Sequence, residues 1–278
     1  MLRELAESDV SGELATIYEE IRRYSAVPYV SSLQRHLATM PGCLEYAWMA
    51  CRPALENGFL QHTAWRLAQA GDFQPFPPVS VSALRLLGVS ATDAREIQNI
   101  YANFVRVAPV NLLFAGVVER LLAGARPGGK TLPSSPPPLP GMLPPMAALV
   151  PHEQLDPGAG DVLMQLATEL GGEPFVPGLY RLLAAWPAYL AHVATLVEPV
   201  LKSESEREAR RQTAMRIVEA ADEVIEYLPA LDERYPAPAT ADAQAILSAI
   251  MTYRVTSPEM IVFGTLLLNT LPEASDLD

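Results

Sequence analysis

Apolar positions along the chain recur mainly at helical spacing. Leu179, Leu182, Leu183 and Trp186 stand at i, i+3, i+4 and i+7, one face of a helix. Prolines punctuate the pattern: Pro28, Pro41, Pro109, Pro177, Pro187 and Pro258 each precede an apolar-periodic run. Proline is favourable at a first helical position, where the amide it lacks would have no partner. The spacing predicts two blocks of about six or seven short helices each, and no segment alternates convincingly as a half-buried strand would.

The two blocks repeat one another. Val27-Pro28 answers Val176-Pro177, and Leu33-x-Arg35-x-Leu37-Ala38-x-x-Pro41-x-x-Leu44 answers Leu179-x-Arg181-x-Leu183-Ala184-x-x-Pro187-x-x-Leu190. Pro53 and Leu55 answer Pro199 and Leu201, and Thr63-Ala64-x-Arg66 answers Thr213-Ala214-x-Arg216. Asp93, Ile97, Phe104, Pro109 and Phe114 answer Asp242, Ile246, Tyr253, Pro258 and Phe263. The offset stays between 146 and 150 residues, and drift of that size is what loop-length changes produce. So many ordered matches at nearly one offset mark an internal duplication.

The expected organisation is a helical repeat over 1–123, a proline-rich linker over 124–160 and a second repeat over 161–278. Within the linker, Pro133 to Pro140 cannot sustain a helix, because proline lacks the amide donor and blocks the preceding turn. Extended, polyproline-like chain running over the surface is expected there. The fold class expected is all-α: two tandem homologous helical modules packed as a pseudo-twofold dimer, as two copies in a homodimer would be. A small-molecule cleft is expected where corresponding helices meet.

Composition narrows the function classes. Hydrophobic residues make up 50% of the chain and charged ones 19%, which suits a protein with a large core. A formal charge of −12 argues against nucleic-acid phosphates and anionic membrane surfaces as partners. The N-terminus is charged and has no apolar signal core, and the apolar stretch Met260–Leu268 is too short to span a bilayer. Cys43 and Cys51, eight apart in a predicted helix, are separated by a rise of about 12 Å, too far for a disulfide. A soluble, cytoplasmic protein with two packed thiols is expected. His36, His62, His152 and His192 show no metal-ligand spacing, so neither a metal nor a cofactor is expected.

Particular motifs then carry a family resemblance. The segments Asp9-Val10-Ser11-Gly12-Glu13, Ile17-Tyr18-Glu19-Glu20-Ile21-Arg22 and Val27-Pro28-Tyr29-Val30 come first. Leu37-Ala38-Thr39-Met40-Pro41-Gly42 follows, with Ala47-Trp48, and the second half has Leu183-Ala184-x-Trp186-Pro187. Together they resemble the group I 2-haloacid dehalogenases over nearly the whole chain. The resemblance implies an all-α pseudo-dimer with its active site between the repeats. It also implies an aspartate that activates water, which displaces halide directly from the α-carbon of either enantiomer. The family's aspartate lies in a Ser-Asp-aromatic step ahead of the Trp-Pro pair, and that step reads Gly178-Leu179-Tyr180 here. Leucine cannot accept a proton, so the family base is not retained and the catalytic residue stays unassigned. Tyr29 stands where the family has a pocket tryptophan, Ser32 where it has a phenylalanine, and Ala108 and Asn111 where it has asparagine and tyrosine. Tyr253 keeps an aromatic lining role. The substrate-binding set implied is Tyr29, Ser32, Asn111, Gly178, Leu179 and Tyr253. Val176–Ala184 is also similar to a helix of alkylhydroperoxidase-like proteins, whose close cysteine pair Cys43 and Cys51 do not supply.

Other chemistry-bearing residues have plainer readings. Ser32 and His36 are i, i+4 neighbours that could touch, but no signature supplies an orienting group or oxyanion donors. Glu173 reads as a solvated loop carboxylate, and Glu259, directly after Pro258, as a first-turn acid favoured by the helix dipole. Arg35 and Arg181 are repeat equivalents that could clamp a carboxylate or form structural ion pairs. Gly128-Gly129-Lys130-Thr131 echoes a phosphate loop only by accident, and Lys202–Arg211 reads as a solvated, salt-bridged helix face. Two functions emerge: a diverged hydrolase acting on a small organic acid with a relocated base, or a non-catalytic protein binding an apolar or amphipathic small molecule. In either case the partner is a small molecule, and a homo-oligomer is compatible with both.

Overall fold

Helix packing dominates the architecture, as the periodicity predicts. In the computed structural model, residues 3–69, 73–133 and 136–277 are described, without the side chains of His152 and Ala274. Met1 and Leu2 of the charged terminus, and Ser134 and Ser135 of the proline segment, lie outside that description. The α-helices are α1 (Gly12–Ser25), α2 (Ser32–Leu37), α3 (Cys43–Asn57), α4 (Phe59–Ala68), α5 (Val81–Leu86), α6 (Ala91–Leu122), α7 (Pro157–Gln165), α8 (Gly178–Leu183), α9 (Pro187–Lys202), α10 (Glu204–Tyr227) and α11 (Thr240–Leu268). Among the described residues the fold is all-α but for one small hairpin.

That hairpin, β1 (Thr168–Leu170) and β2 (Glu173–Phe175), departs from the expectation of no strand. The strands pair antiparallel, with Leu170 opposite Glu173. The two-residue turn is Gly171-Gly172, with φ of +63° and +84°. Left-handed conformation at both turn residues matches the natural twist of a hairpin, and only glycine adopts it without strain.

The proline expectation is corrected in part. Pro187 opens α9 and Pro177 is the N-cap of α8, as a helix-start signal requires. Pro109 and Pro258 instead lie inside α6 and α11, which reach 32 and 29 residues and are not short helices. An interior proline costs about 3 kcal/mol through a lost hydrogen bond and a steric clash. The run after each proline offsets that cost: Leu112, Leu113 and Phe114 after one, Ile261, Val262 and Phe263 after the other, all buried. Each fully buried side chain of this size contributes about 1.5–3 kcal/mol. Pro53 and Pro199, inside α3 and α9, form a second pair of equivalent sequence positions.

The chain divides into two compact units, one of Met1–Ala70, Arg106–Leu143 and Thr213–Ser257, the other of Gly71–Val105, Pro144–Gln212 and Pro258–Asp278. Each unit takes segments from both halves of the sequence, and α6, α10 and α11 contribute to both. In the first unit, α1 buries Ile17, Ile21 and Tyr24, an i, i+4, i+7 stripe, with Tyr18 beside it. Trp48 of α3 stacks on Tyr24 with ring centroids 6.2 Å apart, and its indole N–H donates to Glu20 at 2.8 Å. Cys43 and Cys51 are buried free thiols on α3. The proline segment is held by its carbonyls: His62 bonds that of Pro137 at 2.8 Å, and Arg106 donates to that of Gly141 at 2.6 Å. In the second unit, Tyr101 of α6 and Tyr189 of α9 share a buried hydroxyl–hydroxyl bond of 3.0 Å. By length and composition α6 could cross a membrane, yet 78% of its apolar window is buried in the protein.

Candidate functional site

Two groups of buried polar residues stand out, one in each unit. In the first unit the chain turns from α1 into α2 through Val27-Pro28-Tyr29-Val30, and proline there keeps the preceding residue extended. Ser31 occupies the N-cap position of α2 but makes no side-chain cap. Its hydroxyl donates instead to the side-chain carbonyl of buried Gln34. The amide of Gln34 donates in turn to Asn111 Oδ1 of α6 at 2.7 Å. The orphan amide of Leu33, in the first turn of α2, donates to the Tyr253 hydroxyl of α11 at 2.8 Å. Tyr253 therefore caps a helix 220 residues away in sequence.

Tyr29 faces this group. The residue is half-buried, but its hydroxyl oxygen is buried and without a partner. Burial and the neighbouring Tyr253 raise its pKa, with Arg35 opposing, so the phenol stays protonated. Burial likewise raises Tyr253, while the polar groups of Ser32, Leu33 and Ser31 beside it oppose the shift. Tyr29, Ser32, Asn111 and Tyr253 thus sit in one compact unit.

Gly178 and Leu179 belong to the other unit, on α8. Leu179 is fully buried, and Gly178 lies close to Phe104, whose ring would stand 3.5 Å from an added Cβ. The next residue, Tyr180, is also fully buried, and its hydroxyl has no partner. Burial first, then the charge of Glu259, raises its pKa well above the usual value.

The Glu259 expectation is corrected. Because Pro258 lies within α11, Glu259 is an interior helix residue only 5% exposed, not a first-turn acid at a helix start. Thr168 of β1 donates to its Oε1 at 2.5 Å, and its Oε2 is buried without a partner. Burial raises the Glu259 pKa, with the Thr168 hydrogen bond and then the Arg210 charge opposing. Arg210 is 4% exposed, so the run Lys202–Arg211 is not a wholly solvated face. Its guanidinium donates to the carbonyls of Val200 and Leu201, each at 3.3 Å, and lies 4.9 Å over the Phe263 ring. The rest of the run forms the surface pairs Arg207–Glu204 and Arg211–Glu208.

Other sequence candidates find structural partners. His36 Nδ1 bonds the Arg3 carbonyl at 2.7 Å, and Ser32 accepts from Arg35 at 3.4 Å, so Ser32 and His36 do not form a dyad. Arg35 pairs with Glu4 at 2.6 Å. Glu173 is exposed in the hairpin. Gly128 and Gly129 donate their amides to the carbonyls of Ile225 and Leu228, which makes that loop a docking strap. His192 is half-buried, and burial lowers its pKa. No group of three or more metal-ligating side chains occurs among the described residues.

Known proteins are similar to this chain in sequence and in fold. The chain is 26% identical over 234 residues to a configuration-inverting 2-haloacid dehalogenase of Alcaligenes xylosoxydans xylosoxydans, covering 81% of this chain and 77% of that protein. It is 23% identical over 240 residues to an (R)-2-haloacid dehalogenase of Pseudomonas putida, covering 80% and 76%. In sequence the chain is similar to 2-haloacid dehalogenases over about four fifths of its length. Solved structures share its fold. A D-2-haloacid dehalogenase mutant in complex with D-2-CPA superposes with a TM-score of 0.73 at 18% identity, covering 97% of this chain and 96% of that one. A D-2-haloacid dehalogenase with L-LA gives 0.73 at 17% identity and the same coverage. No protein-family model matches the chain.

In this chain, sequence reasoning missed Gln34, Tyr180, Arg210 and the burial of Glu259. Gln34 carried a usable signal: it is a polar residue one helical turn from the apolar Val30 and Leu37. The surroundings of Glu259 carried none, because they are assembled by segments remote in sequence.

Proposed function

We propose that the chain hydrolyses small 2-haloacids, water displacing halide at carbon 2, without an acid at position 179. The buried, unpartnered hydroxyl of Tyr29 carries this reading. A phenol held protonated by its surroundings is a neutral donor suited to a substrate carboxylate, and Asn111, Ser32 and Tyr253 supply further polar groups nearby. Its relation to the two curated dehalogenases supports the substrate class. The reaction forms a carbon–oxygen bond and breaks the carbon–halogen bond. Halide leaves with the electron pair, and a 2-hydroxy acid and a proton are the other products. The exchange is redox-neutral, so it draws on no redox cofactor.

A cytoplasmic setting, two helical repeats over 1–123 and 161–278, and the linker between them belong to the same proposal. Leu179, fully buried beside the equally apolar Leu182 and Leu183, favours the alternative of a non-catalytic protein binding an apolar or amphipathic small molecule. Chloride and 2-hydroxypropionate formation from (R)- and (S)-2-chloropropionate separates the two. The hydrolase reading expects equimolar products from at least one enantiomer. Binding without chloride release would favour the alternative.

A further inference from the structure

We propose that Glu259 is the base that takes the proton from the attacking water, and that Tyr180 holds that water. The proposal rests on the hydrolase reading above, and it places the proton acceptor on a residue other than the leucine at position 179.

The arrangement argues for this from three sides. Glu259 Oε2 and the Tyr180 hydroxyl are both buried without partners, in side chains 5% and 0% exposed within one compact unit. A buried polar atom left unpaired destabilises a fold by about 1–3 kcal/mol, so two of them, with the Glu259 charge acting on the Tyr180 hydroxyl, call for a reason beyond packing. Both can accept a hydrogen from one water molecule. With its two hydrogens directed to Glu259 and Tyr180, a water keeps its oxygen lone pair free for a carbon electrophile.

The remaining groups around Glu259 suit a base. Thr168 from β1 fixes Oε1, which orients the carboxylate and leaves Oε2 as the free acceptor. Arg210 from α10 lends positive charge, but its Nη1 and Nη2 donate to the Val200 and Leu201 carbonyls. Tyr180 from α8 stays protonated. Burial makes the Glu259 carboxylate more basic than an exposed one, as proton abstraction from water requires. Tyr180 is also the residue directly after Leu179, so the charge of Glu259 acts on the helix on which the resemblance puts the family's aspartate. In the step itself, water oxygen attacks carbon 2 as its proton moves to Glu259 Oε2. The carbon–halogen bond breaks with its electrons on the halide, and Glu259 later returns the proton to solvent.

The test is chloride release from both enantiomers of 2-chloropropionate by the native chain, Glu259→Gln, Glu259→Asp and Thr168→Val, with circular dichroism melts of each. Glu259→Gln is expected to lower kcat/KM by about 10²–10⁴-fold while still folding, and Glu259→Asp to fall between it and the native chain. Thr168→Val keeps the base but removes a hydrogen bond that favours its ionised form. The acid limb of its kcat/KM profile is therefore expected at higher pH than in the native chain. A Glu259→Gln protein within about threefold of native activity would overturn the assignment and leave the hydrolase reading intact. A native chain that releases no chloride would overturn both. Should Glu259→Gln fail to fold, the Thr168→Val limb decides: an unmoved limb overturns the assignment.

Discussion

Removing a single hydroxyl, in Tyr253→Phe, asks whether the cap on α2 acts as the geometry indicates. The Leu33 amide donates to that hydroxyl at 2.8 Å, and the N-cap residue Ser31 makes no side-chain cap. The Ser31 hydroxyl is turned to Gln34, which in turn holds Asn111 at 2.7 Å. The variant therefore leaves a first-turn amide without its acceptor. Loss of a cap costs about 0.5–2 kcal/mol and a stranded buried donor about 1–3 kcal/mol. These describe one bond counted two ways, so the net expectation is about 1.5 kcal/mol. With a urea m-value of about 2–3 kcal/mol/M, the unfolding midpoint should fall by roughly 0.5 M at unchanged m. Hydrogen exchange at the Leu33 amide should quicken in the same variant. An unmoved midpoint with unchanged Leu33 exchange would refute the capping role.

Other perturbations follow from the same geometry. Tyr29→Phe removes a hydroxyl with no partner, so thermal unfolding should show no loss of stability and a gain of up to about 1 kcal/mol, while KM for 2-chloropropionate rises. Gly128→Ala should destabilise more than Gly116→Ala. Its Cβ would stand 2.6 Å from the Glu226 carbonyl oxygen, against 3.2 Å from that of Val218 for Gly116. Losses of about 2–3 and 1 kcal/mol in urea titrations are expected. The Glu259 pKa is raised on folding, so the folded state holds this proton more tightly than the unfolded chain. Stability should then fall as pH rises from the ordinary glutamate range through the raised value. Glu259→Gln should remove that slope and melt higher than the native chain at neutral pH, as differential scanning calorimetry would show.

Local pattern carried much of this fold. The i, i+4, i+7 stripe of α1 and the apolar face Leu179, Leu182 and Leu183 of α8 are the repeating contacts that a helix imposes, and they are buried as the spacing requires. Proline was harder to read. At Pro187 it marks a helix start, but at Pro109 and Pro258 burial of the flanking apolar runs outweighs the local cost and the helix continues. That one difference turned Glu259 from a first-turn acid into a buried carboxylate in the helix interior. The site was legible as residue types, since Tyr29, Asn111 and Tyr253 could be nominated from the family motif. Their partners were not: Gln34 to Asn111 spans 77 residues and Thr168 to Glu259 spans 91, distances over which no sequence spacing acts. Arg210 was hidden for another reason. One buried arginine in a run of charged residues has the same local signature as its solvated neighbours.

Water attack at carbon 2 is the centre of the account, and a single turnover in ¹⁸O-labelled water with protein in excess over 2-chloropropionate tests it most directly. If Glu259 acts as a base, the first 2-hydroxypropionate formed carries one ¹⁸O at carbon 2 and the protein stays unlabelled. Unlabelled product in that first turnover, with the label appearing in a carboxylate of the protein, would mean that an enzyme carboxylate attacks the substrate, and would contradict the account.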